Sequence, residues 1–80
     1  MTVRVLLFAS YADAFGSPTL DLELPSGSTV GDLLAELRRS PAAAKLPAQP
    51  MVALNHEYAE LGQVIGAGDE VAIIPPVAGG

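Results

Sequence analysis

Cysteine is absent from this 80-residue chain. Disulfides therefore cannot brace the fold, no thiolate can act as nucleophile, and a cysteine-ligated zinc cluster is excluded. Positive charge is scarce: Arg4, Arg38, Arg39 and Lys45 face nine carboxylates, for a net charge of −5. Nucleic acid, whose phosphates demand clustered lysine and arginine, is not an expected ligand. The acidic balance favours solubility and steers the chain toward basic partner surfaces. Histidine occurs once, at His56. The amino terminus lacks a charged region followed by an apolar stretch and a cleavage site, and no apolar run approaches the ~20 residues that span a bilayer. The expectation is a soluble, cytoplasmic chain with no membrane association.

Half of the residues are apolar, enough for one core, and splitting a chain this short would leave two pieces too small to bury cores. A single domain over residues 1–80 is expected, with residues 75–80 as a flexible, reactive tail. A domain of this length buries ~60–65% of its unfolded surface and reaches a stability on the order of 4–12 kcal/mol.

Val3-Arg4-Val5-Leu6-Leu7-Phe8-Ala9 is almost continuously apolar and suits a central strand covered on both faces. Ser10 is placed to cap a short helix over Tyr11 to Phe15, ended by Gly16. Thr19 to Leu24 alternates leucine with polar residues, the mark of a half-buried strand. After the turn at Pro25-Ser26-Gly27, Ser28 or Thr29 caps the clearest helix, and Thr29 with Asp32 forms a variant capping box. Val30, Leu33, Leu34 and Leu37 make its apolar stripe. Arg38 and Arg39 fall in its last turn and Pro41 stops it. Pro41 to Pro50 reads as a loop with one helical turn. Met51 to Leu54 is a third strand, turned at Asn55-His56 into a short return strand at Glu57 to Ala59. Leu61 to Ile65 is a helical turn or an irregular crossing, and Glu70 to Ile74 is the last strand. With the apolar first and last strands central, the pattern is α+β: a mixed sheet with one main helix packed across one face, the β-grasp arrangement of ubiquitin.

Several residue groups suggest chemistry and fail on inspection. Gly66-Ala67-Gly68 lacks the third glycine and following helix of a phosphate loop, and Asp69-Glu70 would repel phosphate, so it reads as a turn. His56 has neither a placed serine nor an orienting acid for nucleophilic catalysis, nor companions for a metal site, and reads as a solvated side chain. Glu57 and Glu60 read as surface charges. No metal site is expected.

The end of the chain is different. A terminal Gly79-Gly80 arises by chance at a rate of roughly 1% in a chain with 8 glycines in 80 residues. It follows a strand and the rigid pair Pro75-Pro76, which ends the strand and directs an extended exit. Val77-Ala78-Gly79-Gly80 reaches at most ~13 Å. Glycines let the backbone pass a narrow channel. The carboxylate, ionised at pH 7, can attack the α-phosphate of ATP to give an acyl-adenylate on Gly80, and a sulfur donor can then displace AMP to leave a thiocarboxylate.

The run Gly68-Asp69-Glu70-Val71-Ala72-Ile73-Ile74-Pro75-Pro76-Val77-Ala78-Gly79-Gly80 resembles the carboxyl-terminal signature of molybdopterin synthase small subunits. The resemblance extends through Phe8-Ala9, Thr29-Val30-Gly31-Asp32-Leu33-Leu34 and Val52-Ala53-Leu54-Asn55. One departure is Ser10-Tyr11-Ala12-Asp13, where several relatives carry an arginine. The resemblance implies a sulfur carrier that is not catalytic alone. A ubiquitin-activating-type enzyme, consuming ATP, adenylates Gly80, a sulfur donor protein supplies the sulfur, and Gly79 keeps the tail thin. The large synthase subunit receives the tail and holds the catalytic side chains, two small and two large subunits forming the complex. The sulfur goes to a cyclic pyranopterin precursor, building the molybdopterin dithiolene. Ile74, Pro75, Pro76, Val77 and Ala78 are the expected docking residues, and no cofactor is expected on the chain itself. Two alternatives share the fold and the tail: a carrier for thiamine thiazole or cysteine synthesis, and a ubiquitin-like modifier that forms isopeptide bonds.

Overall fold

Strand β1 (Thr2–Leu7) puts Val3, Val5 and Leu7 on one face, where all are buried, and Thr2, Arg4 and Leu6 on the other. The period of two along a strand dictates that division. In the computed structural model, which describes residues 1–75, β1 lies beside the last strand, β5 (Glu70–Ile74), in parallel register with Val5 opposite Val71 and Leu7 opposite Ile73. Strand β2 (Thr19–Glu23) pairs antiparallel with the outer side of β1, and β3 (Met51–Leu54) with the outer side of β5. Strand β4 (Glu57–Tyr58) closes the far edge, giving the order β2-β1-β5-β3-β4. The apolar first and last strands are adjacent near the middle of the sheet. The fold is β-grasp.

Helix α2 (Val30–Leu37) crosses the inner face of this sheet. Val30, Leu33, Leu34 and Leu37 are buried as their spacing requires, against Val3, Val5, Val52, Val71 and Ile73 in one core. Its start is fixed twice. Thr29 Oγ1 accepts from the Asp32 N–H while Asp32 Oδ2 accepts from the Thr29 N–H, the expected capping box. The N–H groups of Val30 and Gly31, which a helix cannot satisfy internally, donate at 2.9 Å to Gln63 and Leu61 carbonyls. The segment 61–65 is therefore not helical: it is an irregular crossing stitched to the helix entry, with a bridge between Thr29 and Val64.

Four local expectations are corrected. Helix α1 (Ala9–Phe15) begins before Ser10, which caps nothing: Phe8 is the N-cap, and Ala9 takes a left-handed φ of 49° to turn the chain. Gly16, at φ 79°, ends α1 as expected. Helix α2 stops at Leu37, so Arg38 and Arg39 follow the last turn. Arg38 instead reaches forward to the carbonyls of Pro47 and Ala48, and Arg39 pairs with Glu36. Pro41 does not stop α2 but opens a 3-10 helix over Pro41–Lys45, capped by Ser40, a better use of a fixed φ and a missing N–H. Lastly, among the described residues β1 is covered on one face only, for α1, α2 and the 3-10 helix bury Tyr11, the α2 stripe and Ala43 in the same core.

Candidate functional site

Strand β5 delivers the chain end. Its last residue, Ile74, pairs with Met51 at the start of β3, and Pro75 follows immediately outside the ladder. A proline has no N–H for the next rung, so the strand stops where the sequence says it must. Ile74 and Pro75 are both half-buried. The expected docking residues Pro76, Val77 and Ala78, and Gly79 and Gly80, expected to form the reactive end, lie outside the described residues.

The outer face of the sheet meets this exit point. Cross-strand register lines up Leu6, Ala72, Ala53 and Tyr58 in one row, and Ile74 with Met51 in the next row toward the exit. Phe8, one step beyond β1 and still extended at φ −125° and ψ 152°, keeps to the same face. Leu6, Phe8, Tyr58 and Ile74 border a shallow cleft of about 340 Å³ whose floor includes the paired alanines 53 and 72. Phe8, Met51 and Tyr58 are 44%, 51% and 76% exposed. Two of the chain's four aromatic residues thus stand in solvent on one face. Aromatic side chains carry the largest apolar surface available to a core, so exposing them beside the exit point marks an interaction face.

Away from the exit the same face turns polar. Asp21, Arg4 and Glu70 sit side by side across β2, β1 and β5. Arg4 Nε is 3.3 Å from Asp21 Oδ1. His56 Nε2 approaches Glu70 Oε1 at 3.9 Å, beyond hydrogen-bond distance. The His56 side chain is 88% exposed, a solvated group as expected.

The corner behind Glu70 is held by Asn55. Asn55 and His56 both adopt left-handed φ, 49° and 72°, which the two-residue β3–β4 turn needs. The Asn55 amide donates to Asp69 Oδ1 at 3.0 Å, and its carbonyl accepts from the Glu70 N–H at 3.0 Å. The Gly66 N–H adds a bond to Asp69 Oδ2 at 2.7 Å. The Asn55 bond first, and the Gly66 bond second, hold the Asp69 carboxyl below the ordinary aspartate range. Gly66 to Gly68 is thus a turn closed by a carboxylate: the Gly66 N–H goes to Asp69 Oδ2, and the Asp69 N–H donates back to the Gly66 carbonyl at 3.1 Å. Sequence reasoning named Ile74 and Pro75 as docking residues and did not assemble Phe8, Ala53, Tyr58 and Ala72 into the one surface that the sheet register makes of them beside that exit.

The ThiS family model matches residues 5–80. The chain belongs to the ThiS family. The molybdopterin synthase sulfur carrier subunit of Arabidopsis thaliana is 40% identical over 79 residues, covering 98% of this chain and 82% of that protein. Its counterpart in Homo sapiens is 37% identical over 82 residues, covering 98% and 93%. Among solved structures, small archaeal modifier protein 1 of Haloferax volcanii superposes with a TM-score of 0.86 at 36% identity, covering 100% of both chains. The kinship with molybdopterin synthase small subunits read from the sequence is borne out.

Proposed function

We propose that this chain is the sulfur carrier subunit of a molybdopterin synthase, a cytoplasmic protein whose reactive group is the Gly80 carboxylate. The single observation that carries the proposal is full-length identity of 37–40% to relatives of that name, joined to the Pro75-Pro76-Val77-Ala78-Gly79-Gly80 ending. A carboxylate oxygen of Gly80 attacks the α-phosphate of ATP held by an adenylating partner, and pyrophosphate leaves. A sulfide-level sulfur donor then adds to the acyl carbon and AMP leaves, so the terminus becomes a thiocarboxylate. Inserted into the large subunit, that sulfur attacks the pyranopterin precursor, and hydrolysis of the acyl group restores the carboxylate. A dithiolene needs two sulfurs, consistent with two carriers in a heterotetramer.

The chain's own contribution is a thin terminus and an oriented base for it. Ile74 is locked in the ladder against Met51, and Pro75 fixes φ at the first residue beyond it. Restricting the root lowers the entropy lost when the tail enters a partner. The apolar outer face beside Ile74, with Phe8 and Tyr58 exposed, is the docking surface on this reading.

The test is mass spectrometry of the intact chain after incubation with the adenylating enzyme, ATP and a sulfur source. The expected product has one oxygen replaced by sulfur at Gly80, and deletion of Gly80 abolishes it without shifting the thermal melt. A melt that falls on deletion would make the tail structural. A second reading is favoured by the likeness to small archaeal modifier protein 1: attachment of Gly80 to lysines of other proteins. Isopeptide-linked adducts ending in Gly80, without sulfur transfer to the pterin precursor, would select it.

A further inference from the structure

Strand β5 has a neighbour on each side, so a chain that ran straight on beyond Ile74 could extend the sheet against β3 or against β1. Successive N–H groups along a strand point to opposite sides. The Asn55 N–H donates to the Glu70 carbonyl at 2.9 Å, which makes 55 and 70 a bonding pair, and with it 53 and 72, then 51 and 74. The next bonding position toward β3 therefore pairs 49 with 76. Val71 and Ile73 bond on the other side, in register with Val5 and Leu7 of β1. The next N–H on that side belongs to residue 75, facing the Phe8 carbonyl. Both positions are prolines, which have no N–H to give. A single proline would release the chain from one neighbour only.

The acceptors on either side are engaged as well. The Phe8 carbonyl accepts from the N–H groups of Tyr11 at 3.0 Å and Ala12 at 3.4 Å, because the left-handed turn at Ala9 starts α1 there. Toward β3, two residues before Gln49, Pro47 has no N–H, and its carbonyl accepts from Arg38 Nη2. The same Nη2 reaches the Ala48 carbonyl at 3.1 Å. Among the described residues these are the only hydrogen bonds on the backbone of 47–49. Arg38 is exposed and is one of only four cations in the chain. We propose that Arg38 is a positioning residue: with Pro75 and Pro76 it closes the exit to sheet extension, so the chain end cannot zip onto β1 or β3 and is left for a partner to take. The service to a partner rests on the sulfur carrier reading above, whereas the stop itself does not.

The experiment is amide hydrogen exchange by NMR on the full chain, which needs no partner, followed by adenylation kinetics with the activating enzyme. The chains are wild type, Pro76→Ala, and Pro76→Ala combined with Arg38→Met or with Arg38→Lys. In wild type the Val77 and Ala78 amides are expected to exchange as in an unstructured peptide. Pro76→Ala supplies the missing donor toward Gln49, and protection of about tenfold is expected at position 76. Adding Arg38→Met frees the Pro47 carbonyl and is expected to carry protection on to Ala78, whereas Arg38→Lys, which still donates, is expected not to. A chain end held on the sheet is unavailable for that fraction of the time, so KM for adenylation is expected to rise about tenfold in the Arg38→Met double variant with kcat unchanged. Pro76→Ala alone carries the test should Arg38→Met lower the melt. Unprotected amides in every variant overturn the stop, as does a wild type already protected at Val77 or Ala78. Equal exchange at Ala78 with Arg38→Met and Arg38→Lys overturns the role of Arg38. Protection as expected in chains that the enzyme never adenylates supports the stop and overturns the sulfur carrier reading.

Discussion

Leu33 has no exposed surface and lies at the centre of the stripe that α2 presses on the sheet. Truncating it to alanine removes three carbon groups, worth ~0.8 kcal/mol each in transfer, or ~2.4 kcal/mol. The surrounding residues are strand side chains held in register, so the hole collapses incompletely, and a cavity term of order 24 cal/mol per Å³ adds ~1 kcal/mol or more. The expected cost is therefore ~3–4 kcal/mol, in the middle of the range for buried leucines. For a domain of this size each kcal/mol moves the melting midpoint by roughly 4–8 °C, so Leu33→Ala is expected to melt more than ~12 °C lower. Calorimetry with guanidinium unfolding checks both numbers. The sulfur-transfer assay, run well below the variant's melt, is expected to stay near wild type, because no atom of Leu33 reaches the outer face. A melt lowered by less than ~4 °C would refute the packing argument. An unchanged melt with lost transfer would refute the separation of core from site.

Two further outcomes concern the corner behind Glu70. Asn55→Ala removes the larger of the two bonds that depress the Asp69 carboxyl. Its titration midpoint, followed by carbon-13 NMR, is expected to rise toward the ordinary ~3.9, and an unmoved midpoint would assign the depression to something else. Because the native value is lowered, the stabilisation is present above the ordinary aspartate pKa and is lost as pH falls through the depressed one. The part of wild type's advantage over Asn55→Ala that comes from the Asp69 carboxylate should thus vanish only in strongly acidic solution, while the lost acceptor for the Glu70 N–H and the left-handed φ at position 55 cost the variant at every pH. Gly68 has φ +83° and open space where a Cβ would stand, so Gly68→Ala incurs backbone strain without a clash. A cost of ~1–2 kcal/mol is expected from the left-handed conformation, and a melt at or above wild type would contradict it.

Helix α2 was legible because each signal agreed: Thr29 with Asp32 at one end and a stripe at 3.6 spacing behind it. Its stop is less legible: Arg38, Arg39 and Pro41 read as a terminus, whereas Ser40-Pro41 is a start signal for the 3-10 turn. Ser10 failed as a cap because Ala9 turns left-handed, a conformation that a β-carbon disfavours and that no sequence pattern announces. Reading β1 as covered on both faces was the most instructive error. Leu6 and Phe8 are apolar at positions that alternate away from the core, and a run apolar on both faces is satisfied equally by burial within one chain or by burial against another. The cleft itself was illegible, since Phe8, Ala53, Tyr58 and Ala72 come from different parts of the chain and only the register of the sheet assembles them.

An apolar outer face would ordinarily invite self-association, and the placement of charge answers that problem. Edge strand β4 is only two residues long and carries Glu57, while edge strand β2 carries Asp21 and Glu23. Short, charged edges resist pairing with another sheet. Asp21 and Glu70 line the polar half of the outer face, so two copies meeting there would bring carboxylates together as well as apolar side chains. A partner with cations at the matching positions meets no such penalty and gains the same apolar burial. The net charge of −5 is then a selectivity device as much as a solubility device. Self-pairing through the outer face would set Asp21 and Glu70 of one copy against those of the other, a repulsion that works against the apolar gain.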